Sequence, residues 1–209
     1  MGKNFVSNQT ESVKMFGNPL VEALSKVHWT VPLIVYIPII LFFQYQSIFT
    51  YNFAILESFG LFLGGLFIWT LTEYLLHRFV FHFEPKSPLG KRLHWMFHGV
   101  HHDYPQDRFR LVMPPSISLP LAAMFYFLFL FIFGTVHLPA IFSGFLAGYL
   151  AYDTIHYAIH HNGFRNSFML KIKQHHMRHH YTEPNEGFGV SSPLWDYVFN
   201  TRPKKKSVQ

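Results

Sequence analysis

Four apolar stretches dominate this chain and restrict what it can fold into. Trp29 to Phe49 carries no charged side chain and is interrupted by Gln44 and Gln46. Phe53 to Phe81 is longer, with Glu57 near its start and Glu73, His77 and Arg78 in its last turns. Pro114 and Pro115 open a third run to Phe133, and Ala140 to Ile159 forms a fourth. About 20 apolar residues in a helix cross the hydrocarbon core of a bilayer. Lipid offers the backbone no hydrogen-bond partner, so spanning segments of this kind must be helical. The runs predict an all-α integral membrane protein with four transmembrane helices, at about residues 30–49, 53–80, 114–133 and 140–160. The surplus length of the second is expected to carry His77 and His82 beyond the lipid.

Composition agrees with a membrane setting. Half of the residues are hydrophobic and only 13% are charged, against roughly 25% in soluble domains. Residues 1–28 read as a polar N-terminal arm, with a short amphipathic helix near Asn18 to Val27, and residues 29–209 as one membrane-embedded domain. Met1 to Ser25 lacks the apolar core of a secretory signal. Pro32 and Pro38 are expected to bend the first span, and Gly134 to Pro139 to form a tight turn.

Charge predicts orientation. Every Lys and Arg lies in the arm, at the end of the second run, between the second and third runs, or after the fourth. The links near Thr50 to Asn52 and Gly134 to Pro139 carry none. Positive flanks stay on the cytoplasmic side, so both termini and the polar segments 81–113 and 161–209 are expected there. The Lys204-Lys205-Lys206 cluster reads as a solvated tail that supports this orientation. Basic residues spread over membrane-flanking loops argue for membrane lipid and against nucleic acid.

Histidine spacing supplies the chemistry. His98-Gly99-Val100-His101-His102 places three imidazoles at i, i+3 and i+4, on one helical face. His176, His179 and His180 repeat the pattern, His156 and His160 form an i, i+4 pair, and His77 and His82 a looser pair. All ten lie on the side with the basic residues. One histidine at a membrane interface is ordinarily a solvated residue; ten in four spaced groups are not accounted for in that way. There is no cysteine, so a metal must take histidine and oxygen ligands. Ten imidazoles exceed the four to six ligands of one ion and match two. Iron suits an all-nitrogen pair, with zinc, copper or manganese as alternatives. Iron with O₂ and two external electrons is the combination that attacks an unactivated C–H bond, and in a membrane the natural substrate is an acyl chain.

Further residues fall beside these groups. Asp153 precedes His156 by three and Glu73 precedes His77 by four, so each carboxylate is expected to accept a hydrogen bond from a ligand imidazole. His94, His161 and His175 adjoin ligands and are read as orienting them or a substrate carbonyl. Arg110, Tyr157, Tyr181 and Asn185 are candidates for holding the polar end of a substrate. His28 and His137 stand alone and are read as having no part in the site. Phe125 to Phe133 reads as lipid contact rather than as a substrate tunnel.

Several segments resemble one family. Glu73-Tyr74-Leu75-Leu76-His77-Arg78-Phe79-Val80-Phe81-His82 resembles the first histidine box of the fatty acid hydroxylase/sterol desaturase superfamily. His98 to His102 followed by Arg110-Leu111-Val112-Met113-Pro114-Pro115 is similar to the second box of its fatty acid 2-hydroxylases. Tyr152 to His161 resembles their fourth-helix motif. His176 to Tyr181, followed by Gly187-Phe188-Gly189-Val190-Ser191-Ser192-Pro193-Leu194-Trp195-Asp196, resembles the last box and its sequel. The match runs from about residue 60 to 202.

The resemblance implies four transmembrane helices under a cytosolic helical cap that holds a dinuclear metal site. It implies two Fe ions, which Zn can replace in a purified protein, bound by His77, His82, His98, His101, His102, His156, His160, His176, His179 and His180. It implies O₂-dependent hydroxylation at C2 of a long-chain fatty acyl lipid, giving 2-hydroxy acids for lipid or sphingolipid synthesis, with no catalytic residue beyond the metal ligands. Many members begin with a fused cytochrome b5 domain, for which this chain leaves no room. A separate electron donor, such as cytochrome b5 or a ferredoxin with its reductase, is therefore expected, in a bacterial inner membrane or the endoplasmic reticulum. A sterol or carotenoid hydroxylase or desaturase of the same superfamily is the alternative enzyme, and a metal transporter or storage protein the alternative outside enzymes.

Overall fold

The computed structural model describes residues 5–203, and every regular element among them is helical. The Lys204 to Lys206 cluster lies outside the described residues. The order is α1 (Pro19–Leu24), α2 (Thr30–Tyr45), α3 (Ile55–Leu75), α4 (Pro88–His94), α5 (Val100–Asp103), α6 (Pro115–His161), α7 (Ser167–Tyr181) and α8 (Leu194–Val198). Three wide turns of π winding extend these helices: Gln46–Thr50 after α2, Leu76–Phe81 after α3, and Trp95–Gly99 between α4 and α5. Side-chain caps start the short helices. Asn18 accepts from the N–H of Leu20 and Val21, Ser87 from Gly90 and Asn166 from Phe168.

Three helices are long and apolar enough to cross a membrane: Thr30–Thr50, Ile55–Phe81 and Pro115–His161. The third and fourth runs of the sequence are the two arms of α6, which meet at Gly134, where φ is 67° and ψ 175°. On an unbroken rod Phe125 and Phe145 would stand about 30 Å apart, yet their ring centroids are 4.9 Å apart. The chain therefore folds back at Gly134. The turn expected over Gly134 to Pro139 shrinks to one residue, because glycine alone enters positive φ at little cost. Pro139, the fifth residue after the break, already lies inside the second arm and can donate no helical bond there.

The chain divides into two compact units. One comprises Phe16–Leu71 and Val112–Thr154. Tyr36, Trp69, Phe129, Phe142, Phe145, Leu146 and Tyr149 form its core, with Trp69 edge-on to both Phe145 and Tyr149. α3 and the second arm of α6 touch through their backbones. A methyl group at Gly65 would collide with the carbonyl of Ile141, and one at Gly144 with that of Phe62. Gln44, an interruption in the first run, donates to Ser143 at 2.6 Å and accepts from Ser58 at 3.0 Å. The Phe-rich stretch divides: Phe129 is buried in the core, whereas Phe127 and Phe131 are exposed.

The other unit comprises the segment ending at Met15, Thr72–Leu111, and the chain from Ile155 onward. It contains all ten of the grouped histidines. The first part of the polar arm is strapped onto it. The N–H groups of Val6 and Ser7 donate to the carbonyl of Asp103 at 2.9 and 3.1 Å, and the ring of Phe5 meets Tyr181 edge-on at 5.3 Å.

Candidate metal centre

The ten histidines converge into two nests of five. The first holds His77, His82, His98, His102 and His179, the second His101, His156, His160, His176 and His180. Within each nest the ligand nitrogens all lie within 4.8 Å of one another. Each His-x-x-His-His box is split between the nests. His98 and His102 enter the first while His101 enters the second; His176 and His180 enter the second while His179 enters the first. Three imidazoles that share one helical face are thus divided between two nests. Adjacent residues on a helix point about 100° apart, at 3.6 residues per turn, so an i, i+4 pair shares one nest and the residue at i+3 crosses to the other. The stacked rings of His102 and His180, 4.2 Å between centroids, form the wall between them.

The loose pair His77/His82 works for a different reason. Leu76–Phe81 is a wide turn, and the N–H of His82 donates to the carbonyl of His77, five residues back, at 3.1 Å. This winding is wider than an α turn, so side chains at i and i+5 fall closer to one face than they would in an ordinary helix. Their Nε2 atoms are 3.2 Å apart.

The donor set fits metal ions. Neighbouring Nε2 atoms are 2.9 to 3.3 Å apart in the first nest and 3.0 to 3.1 Å in the second. Nitrogens about 2.1 Å from one ion stand about 3.0 Å apart when octahedrally adjacent and about 3.4 Å when tetrahedral. Five converging imidazoles cannot all be satisfied by hydrogen bonds among themselves, since each ring nitrogen carries at most one proton. A cation at the centre satisfies all five.

Electrostatics favour the same state. Burial pushes the imidazoles of His98, His101, His102, His176, His179 and His180 well below the usual histidine range, and their neighbours add to the effect. His82 is lowered to about 3 by burial and by His179 and His94. Neutral imidazole is the form that binds metal.

The surrounding residues depart in part from expectation. Glu73 does not face His77. Its carboxylate accepts from the N–H groups of Val190 and Ser191, both at 2.8 Å, and from the Ser191 hydroxyl. His77 instead donates through Nδ1 to the carbonyl of Phe188 at 2.6 Å. Asp153 accepts from the Tyr149 hydroxyl at 3.2 Å and the Met113 N–H at 3.4 Å. His94 donates to the carbonyl of Phe81, and His161 stacks on Tyr157 with centroids 4.4 Å apart. His175 bonds Asp196 at 3.0 Å.

The substrate-positioning candidates are dispersed. Arg110 is buried beside Asp107 at 3.7 Å and donates to the sulfur of Met15. Tyr181 donates to Asn8 at 3.1 Å. Tyr157 is half-buried and Asn185 exposed. His28 pairs with Thr30, and His137 lies beside Phe53, both outside the nests.

Asp196 is the residue whose role the sequence reading did not identify. It is fully buried and accepts from the N–H groups of Phe188 and Gly189, from the Thr201 hydroxyl and from His175. Burial alone would raise its carboxyl; these bonds outweigh it and hold the group below the usual carboxylate range. The only hint in the sequence was an acidic residue ending the segment Gly187 to Asp196. A cavity of about 210 Å³ opens on the first nest, lined by His82, His98 and His102 together with Phe81, His94, Trp95 and Asp103.

The chain is similar to known lipid hydroxylases. The chain is 40% identical over 193 residues to the ceramide very long chain fatty acid hydroxylase of Saccharomyces cerevisiae, covering 91% of this chain and 49% of that protein. It is 36% identical to a dihydroceramide fatty acyl 2-hydroxylase of Arabidopsis thaliana, covering 87% and 76%, and 35% identical to the human fatty acid 2-hydroxylase, covering 94% and 58%. The chain thus spans about half the length of several of its curated relatives. A solved structure described as full-length scs7p, with only the hydroxylase domain visible, superposes with a TM-score of 0.86 at 39% identity, covering 92% of this chain and 72% of that one. The model of the family described as fatty acid hydroxylase matches residues 62–201, and the chain belongs to that family.

Proposed function

We propose that this chain is a membrane-embedded fatty acyl 2-hydroxylase whose two histidine nests hold a pair of iron ions. The observation that carries the reading is the pair of five-imidazole nests, in a family of fatty acid hydroxylases. The reaction balances as acyl lipid, O₂, two electrons and two protons giving the 2-hydroxyacyl lipid and water. The two electrons come from a one-electron carrier, such as cytochrome b5 or a ferredoxin with its reductase.

Bound iron would supply the reductive activation of O₂ that attack on an unactivated C–H bond requires. The protein's own residues do the rest. Ten neutral imidazoles, nine of them buried, would hold the two ions, and backbone carbonyls fix the Nδ1 protons of His77 and His179. Burial of nine of these rings excludes bulk water. Regiochemistry at C2 follows if the carbonyl end of the acyl chain is held beside the nests, so that proximity selects one hydrogen among many similar ones. Relatives named for ceramide and dihydroceramide substrates support an acyl lipid as substrate. Zinc would occupy the same imidazoles in a preparation made without control of the metal.

α2, α3 with its wide turn, and the two arms of α6 supply four crossings. The distribution of Lys and Arg supports a cytosolic location for both termini and the metal nests, in the endoplasmic reticulum or a bacterial inner membrane. The test is the lipid profile of a host with and without the chain. The expected result is accumulation of 2-hydroxy fatty acids with the wild type and their loss with His179→Ala. Hydroxylated sterols or carotenoids without 2-hydroxy acids, or no oxidised lipid at all, would refute the reading.

A further inference from the structure

We infer that Glu73 and Asp196 are positioning residues for the first nest alone, acting through the backbone of residues 186–191, so that the two metal positions differ in how firmly they hold their ions. The inference rests on the dinuclear reading and adds to it an inequality between the nests.

The segment presents two carbonyls to histidines of the same nest. His179 donates through Nδ1 to the carbonyl of Glu186 at 2.8 Å, and His77 to that of Phe188 at 2.6 Å. Those bonds fix which nitrogen of each ring stays free for a metal, and they fix the ring orientation. The N–H groups of the same segment are taken up by two carboxylates. Phe188 and Gly189 donate to the two oxygens of Asp196 at 2.9 and 2.8 Å. Val190 and Ser191 donate to one oxygen of Glu73, both at 2.8 Å. Four consecutive N–H groups are thus held by two buried acids. The close approach requires glycine: a methyl group at Gly189 would collide with the carbonyl of Ser192, and Gly187 has φ 76°. Gly187 donates to the carbonyl of Thr201 at 2.7 Å, and the Thr201 hydroxyl donates to Asp196 at 2.7 Å.

The second nest is supported differently. Among the described residues, the buried Nδ1 atoms of its His160, His176 and His180 meet no protein hydrogen-bond partner, against only that of His102 in the first nest. Outer partners of metal-bound histidines are worth about 10- to 100-fold in metal affinity. Releasing the clamp should therefore weaken one ion by that factor and leave the other in place.

The experiment uses the full chain, purified in detergent, loaded with zinc or ferrous iron and challenged briefly with a chelator before metal per chain is measured. The wild type is expected to keep two ions. Asp196→Asn sets an amide N–H against a backbone N–H and is expected to keep about one. Glu73→Ala is expected to do the same, whereas Glu73→Gln retains the oxygen that accepts from Val190 and Ser191 and should keep two. Combining Asp196→Asn with His179→Ala should leave the count near one, because both act on the first nest. Combining it with His176→Ala should bring the count towards zero. If Asp196→Asn does not yield folded protein, Glu73→Ala judged against Glu73→Gln decides the question. Clamp variants that hold both ions as firmly as the wild type, or release both together, would overturn the inference. A wild type that binds fewer than two ions would instead overturn the dinuclear reading on which it rests.

Discussion

Arg110 illustrates how residue type and residue role separate. A cation beside a histidine box is a natural candidate for holding a carboxyl or amide, and the spacing of the sequence could not distinguish that from an internal ion pair. In the structure its guanidinium lies beside Asp107 with both side chains almost fully buried. Asp107 in turn accepts from Ser12 and from the N–H of Phe109. Removing one partner of a buried pair costs about 3–5 kcal/mol, because the other charge is left without compensation. Arg110→Ala is expected to lower the thermal unfolding midpoint markedly and to leave the KM for acyl substrate unchanged in the protein that remains folded. A raised KM with unchanged stability would return Arg110 to the substrate. Glu73 carries the same lesson. Helical spacing placed it on the face of His77, but two backbone N–H groups more than a hundred residues away compete for its carboxylate and win.

Among the elements, the wide turns decide which histidines meet. The i, i+4 pairs were legible in the sequence because an ordinary helix brings such residues together. His77 and His82 were legible only as a loose pair, since no local rule marks where a helix will widen. The turn at Leu76–Phe81 converts a spacing of five into a shared face. Inserting one alanine after Val80 would lengthen the interval to six, a spacing that neither an ordinary helical turn nor the wide turn returns to one face. The expected outcome is that His82 leaves the first nest and metal per purified chain falls from two towards one. Retention of two ions would show that the wide turn is not what sets this pair. The break at Gly134 is a similar case: the sequence marked a turn of six residues, and one glycine at positive φ sufficed.

For the whole molecule, charge and histidine placement are independent signals that agree on orientation. The links at residues 50–52 and 134–139 carry no cation, while the histidine-rich segments are rich in Lys and Arg. The chain has no cysteine, so single cysteines can be introduced and probed with an impermeant thiol reagent in intact cells. Tyr51→Cys and Thr135→Cys are expected to be labelled from outside, and Lys86→Cys and Arg165→Cys only after the membrane is opened. The reverse pattern would invert the proposed topology.

The sequence by itself determined the helical class, the apolar stretches and the ten imidazoles, because those follow from local composition and from short-range periodicity. Only the tertiary structure decided how the imidazoles divide. Two nests of five arise because three histidine-bearing helices and a widened turn approach one another, and because each box turns its i+3 residue away from its i, i+4 pair. It also decided that the acids at 73 and 196 serve a backbone segment, since hydrogen bonds between residues so distant in the chain leave no periodic trace in the order of amino acids.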